Sequence, residues 1–66
     1  MQIVVNGDSL DIVDSCTIAG LLKALEIGLE RVAVEVNLDI VPKAQYNSFQ
    51  LSPGDKVEIV QFVGGG

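Results

Sequence analysis

Histidine and tryptophan are absent from this chain, and cysteine occurs once, as Cys16. A single thiol can form no internal disulfide. Without histidine or further thiols there is no ligand set for zinc or an iron–sulfur cluster, sites that draw on several such side chains. Basic residues are also few: Lys23, Arg31, Lys43 and Lys56 stand against nine acidic residues, for a formal charge of −5. That balance repels phosphate backbones and predicts no nucleic-acid partner. It favours instead a partner with a positive face. No apolar run approaches the ~20 residues that cross a bilayer. Met1 to Asn6 lack the basic start and long apolar core of a signal peptide. The expectation is a metal-free, cytoplasmic protein with a free thiol and no membrane partner.

What is present is 66 residues, 48% of them hydrophobic and mostly Val, Ile and Leu. This is one small domain near the lower size limit for an unaided core. Gln2–Asn6 is a β-branched run, and Asn6-Gly7 is a strong two-residue hairpin signal leading into Ser9–Val13. Ile3, Val5, Leu10 and Ile12 then share one buried face. Thr17 is a good N-cap for a helix of about nine residues carrying Ile18, Leu21, Leu22 and Leu25, with Gly28 as its left-handed stop. Gly20 inside that helix suggests close approach to a sheet. Arg31–Asn37 reads as a third strand, and Leu38–Val41 as a short fourth strand or extended turn stopped by Pro42. In the irregular stretch 43–51, Tyr46 and Phe49 are expected to cap the core. Ser52-Pro53-Gly54-Asp55 suits a type II turn, and the last strand runs from Lys56 to Phe62. A hairpin, a helix and two or three further strands give an α+β fold. The compact solution is a ubiquitin-like β-grasp, a mixed sheet of four to five strands on one short helix, with the last strand central and parallel to the first.

The sequence ends on Gly64-Gly65-Gly66. Residues 1–63 are expected to form the domain and 64–66 a flexible tail, since glycine packs no side chain and loses most on ordering. A backbone without Cβ atoms can enter a narrow channel, and the reactive group it would present is the α-carboxylate of Gly66. Alternation along the last strand puts Val60 and Phe62 on the sheet face away from the helix, with Val4 joining them and Val63 leading into the tail. These four residues are the expected partner-binding patch. Cys16 is expected to be a small half-buried residue at the helix entry. Asp8, Asp11 and Asp14 are expected to be a solvated rim, because their spacing scatters the carboxylates.

Ala33-Val34-Glu35-Val36-Asn37, then Ile40-Val41-Pro42-Lys43 and the aromatic Tyr46, resemble the "V-N-x-x-x-V-P-[KR]" stretch of the thiamin-biosynthesis sulfur carriers, the ThiS family. Pro53-Gly54-Asp55-Lys56-Val57-Glu58-Ile59-Val60, followed by Val63-Gly64-Gly65-Gly66, resembles that family's "G-D-x-V-E-I-V … G-G" ending. The resemblance spans the chain, and its one evident departure is Tyr46, where many members carry tryptophan. It implies a carrier without catalytic residues or a bound cofactor of its own. The Gly66 carboxylate would be adenylated by a partner enzyme using ATP and Mg, then converted to a thiocarboxylate by a sulfur-donor enzyme. The sulfur would go to thiazole synthase, and the carrier alone would be a monomer. The sulfur carrier of molybdopterin synthase, a ubiquitin-like protein modifier and a non-catalytic binding module remain as alternatives.

Overall fold

The computed structural model describes residues 1–62, so Val63 and the expected tail Gly64–Gly66 lie outside the described residues, as does the boundary between them. Five strands form one sheet: β1 (Gln2–Val5), β2 (Asp8–Asp11), β3 (Val32–Val36), β4 (Asp39–Val41) and β5 (Lys56–Gln61). Their spatial order is β2-β1-β5-β3-β4. The last strand is therefore central, parallel to β1 and antiparallel to β3. Helix α1 (Ile18–Ala24) covers one face, and a 3-10 turn at Lys43–Gln45 leads toward β5. This is the β-grasp that the order of elements predicts.

Seven residues are too few for a helix to persist alone in water, so α1 depends on what it buries. Ile18, Leu21 and Leu22 are wholly enclosed, meeting Ile3, Val34 and Val57 from the sheet. Tyr46 and Leu51 close one end of this core, with Phe49 half-buried beside them. Thr17 caps the helix as expected: its Oγ1 accepts from the Gly20 N–H at 3.0 Å. The cap is held in turn by an isolated bridge to Gln50, while Cys16 and Leu51 share a main-chain hydrogen bond of 2.8 Å.

The helix stops earlier than the expected glycine. Glu26, with φ of 58°, is the left-handed residue; its N–H donates to Lys23 O at 3.0 Å and the Ile27 N–H donates to Leu22 O at 2.8 Å. That is a Schellman arrangement with glutamate at the position glycine usually takes. Ile27, packed against the core, supplies the apolar contact that fixes this geometry, so Gly28 lies beyond the helix. Gly20 also differs from expectation: it is exposed, and a Cβ there would meet Cys16 Sγ and Thr17 Oγ1 at 3.4 Å, not the sheet.

The type II turn forms as expected, with Gly54 at φ of 83° and the Asp55 N–H donating to Ser52 O. No helix among the described residues is long and apolar enough to cross a membrane.

Candidate functional site

The sheet has one face under α1 and one that no element among the described residues covers. Alternation sends Val57 and Ile59 of β5, and Val32, Val34 and Val36 of β3, into the core. Lys56, Glu58 and Val60, and with them Ala33 and Glu35, fall on the open face. Register then fixes the neighbours: Ala33 lies opposite Val60, Glu35 opposite Glu58, and Ile40 of β4 opposite Glu35. Val60 is 53% exposed, Phe62 58% and Ile40 74%, values unusual for large apolar side chains sharing one face. The Phe62 N–H donates to Arg31 O at 2.8 Å, carrying the β3–β5 ladder one step past the strand. The described chain therefore ends beside Arg31, at the start of β3.

Of the four residues expected to form the patch, Val60 lies on the open face and Phe62, one residue past β5, is exposed two positions farther along the chain. Val63 lies outside the described residues. Val4 is placed differently: it is half-buried and pairs with Lys56, four residues along β5 from Val60. At about 3.3 Å per strand residue, some 13 Å separates them. Val4 thus belongs to the opposite end of the open face. Sequence reasoning passed over Ile40 in its place. The cue was available in Asp39-Ile40-Val41, where Val41 is buried and alternation exposes Ile40.

Cys16 is buried, and its Sγ contacts the Thr17 carbonyl oxygen at 3.3 Å, a thiol packed at a helix entry. Asp14 pairs with the amino group of Met1 at 3.3 Å, and that amino group also donates to Ile12 O. Asp8 and Asp11 are exposed at the two ends of β2. No cluster of three or more potential metal ligands occurs among the described residues. The described surface thus carries an exposed apolar face. The chemistry proposed for Gly66, together with Gly64 and Gly65, concerns residues outside the described part.

Comparison with known proteins is consistent with this arrangement. A crystal structure of the thiamine biosynthesis protein ThiS from Geobacter metallireducens superposes with a TM-score of 0.85 at 32% identity, covering 100% of both chains. The sulfur carrier protein ThiS of Bacillus subtilis is 42% identical over 53 residues, 80% of each chain. A thiazole synthase of Paramagnetospirillum magneticum is 46% identical over all 66 residues, although the chain spans only 20% of that protein's length. The ThiS family model matches residues 3–66. With its fold and its nearly full-length match in agreement, the chain belongs to the ThiS family.

Proposed function

We propose that this protein is the sulfur carrier of thiazole formation in thiamin biosynthesis, and that its working group is the carboxylate of Gly66. The observation that carries the reading is the family match across residues 3–66, which includes all three glycines. A carboxylate is a poor electrophile. An adenylating partner solves this by letting a carboxylate oxygen attack the α-phosphorus of ATP, with Mg on the phosphates, while pyrophosphate departs. Sulfur originating from cysteine, held as the outer sulfur of a persulfide on a donor enzyme, then attacks the acyl carbon and AMP leaves. A second thiol cleaves the resulting acyl disulfide, keeping the donor sulfur in a disulfide and freeing the thiocarboxylate. Thiazole synthase takes the sulfur, an oxygen atom from substrate or water replaces it on the acyl carbon, and the returned carboxylate can be loaded again. The carrier contributes no catalytic side chain and acts as a cosubstrate. Binding holds the sulfur against its acceptor, and positioning of that kind removes several kcal/mol from a barrier. The carrier works as a monomer in the cytoplasm, docking through the open face while the glycines reach into the partner.

Intact mass spectrometry of the protein from its native host tests this reading. The expected species is heavier by one oxygen-for-sulfur exchange, and fragmentation places the change at Gly66. Uniformly unmodified protein from cells actively making thiamin would refute it. Removing Gly65 and Gly66 should abolish loading and leave the fold of the described residues intact.

A further inference from the structure

The centre of the open face carries an arrangement that folding alone does not favour. Glu35 and Glu58 are direct cross-strand partners on that face, and like charges in such pairs destabilise a sheet. Neither makes an ion pair among the described residues, where the one salt bridge joins Met1 and Asp14. Lys56 shares the face two residues from Glu58 but pairs with neither. Apolar side chains flank the two carboxylates: Ile40 beside Glu35 on the β4 side, and Val60 with Phe62 toward the end of β5. The face is thus two exposed apolar contacts separated by two carboxylates that form no ion pair among the described residues, on a chain of net charge −5.

Resting on the function proposed above, we propose that Glu35 and Glu58 together receive a cationic side chain of thiazole synthase, with Ile40 and Val60 seated on apolar surface to either side. Charge complementarity argues for the basic group. A guanidinium or ammonium between two carboxylates removes their mutual repulsion, and the flanking apolar contacts exclude water and strengthen the attraction. The synthase is favoured as occupant because one thiazole synthase carries a stretch matching this whole chain as 20% of its own length. The carboxylate pair then acts in recognition and carries no part of the sulfur chemistry.

The test uses the full-length carrier and the thiazole synthase of the same host, with Kd measured from low to high salt for wild type, Glu35→Gln and Glu58→Gln. Each substitution should raise the Tm of the free carrier by about 1–4 °C at low salt, by relieving repulsion. Each should also weaken synthase binding by about tenfold at low salt, with the difference shrinking as salt rises. A residue that merely supported the fold would lower Tm and leave the salt dependence unchanged. Wild-type binding that survives both substitutions, with unchanged salt dependence, overturns the proposal alone. Weakening seen with the adenylating enzyme and absent with the synthase overturns the choice of occupant. A wild-type carrier that never binds the synthase overturns the functional reading and this proposal together.

Discussion

Asn6-Gly7 and Asn37-Leu38 occupy the same two positions in two hairpins, β1–β2 and β3–β4. In both, the first residue has φ near 50° (49° at Asn6, 52° at Asn37) and the second is also positive, 88° at Gly7 and 74° at Leu38. These are the signs of a type I′ turn, whose twist matches that of the strands it joins. Both asparagines then do something the turn does not require. Asn6 Oδ1 accepts from the Ile59 N–H at 2.7 Å and Asn6 Nδ2 donates to Ile59 O at 3.2 Å. Asn37 Oδ1 accepts from the Lys56 N–H at 3.0 Å and Asn37 Nδ2 donates to Asp55 Oδ1 at 3.0 Å. The two amides thus extend the ladders of β5, one on its β1 side and one on its β3 side, where each neighbouring strand has already turned away. Glu58 and Val60 of the open face are carried by β5, so the two turns steady the strand that presents them. The hairpins differ in environment and in their second residue, and each difference can be measured.

The largest effect is expected at Asn6. Ile59 is buried, and the Asn6 side chain satisfies both its N–H and its C=O. Asn6→Ala leaves that main-chain pair without partners and puts alanine in the left-handed region, for a loss of about 2–3 kcal/mol. Urea denaturation, with an unchanged m-value, measures it. A loss smaller than that at Asn37 would break the comparison, because it would mean that water replaces the amide freely at Ile59.

Asn37 comes second. Its bonds to Asp55 and Lys56 are solvent-exposed, and a main-chain bond from the Asn37 N–H to Lys56 O at 2.8 Å remains when the side chain is removed. Asp55 also keeps the Ser52 N–H on its other oxygen at 2.8 Å. Asn37→Ala should therefore cost about 1 kcal/mol, chiefly from alanine in the left-handed region, since water can satisfy the exposed groups it frees. Hydrogen exchange at the Lys56 amide gives a local check: its protection should fall while that of Ile59 holds.

The two turns also show how much of the molecule the sequence carries. Asn6-Gly7 announces itself because glycine at the second position has no Cβ to strain. Asn37-Leu38 does not, because leucine is a poor signal for positive φ, and Asn37 reads as the end of a strand. Local chemistry of this kind also supplied the Thr17 cap, the Pro53-Gly54 turn and the inward valines of β3 and β5. The helix stop was hidden for the same reason as the second hairpin: Glu26 takes a left-handed conformation that glycine more often takes. Register was harder still. Alternation puts Val4 on the open face, but which β5 residue it meets depends on the packing of elements more than fifty residues apart. The pairing with Lys56 moves it away from Val60. The acidic pair was invisible for that reason too, because Glu35 and Glu58 become neighbours only once β3 and β5 are aligned.

The smallest effect, and the sharpest test of the comparison, is at Leu38. Its side chain is 86% exposed, so truncation forfeits almost no packing in the free protein. A leucine held at φ of 74° carries the clash between Cβ and the following carbonyl that left-handed backbone imposes on L-residues, about 1–2 kcal/mol. Glycine relieves it and returns roughly 0.5–1 kcal/mol of that as extra freedom in the unfolded chain. Leu38→Gly should therefore stabilise the domain by about 0.5 kcal/mol, making this hairpin resemble β1–β2. Leu38→Ala separates backbone from side chain, because it keeps the Cβ and with it the strain, and its stability should match wild type. If alanine and glycine stabilise equally, the exposed side chain is at fault and the backbone is not. If glycine destabilises, Leu38 makes a contact that favours the folded state, and the two turns differ in more than their second residue.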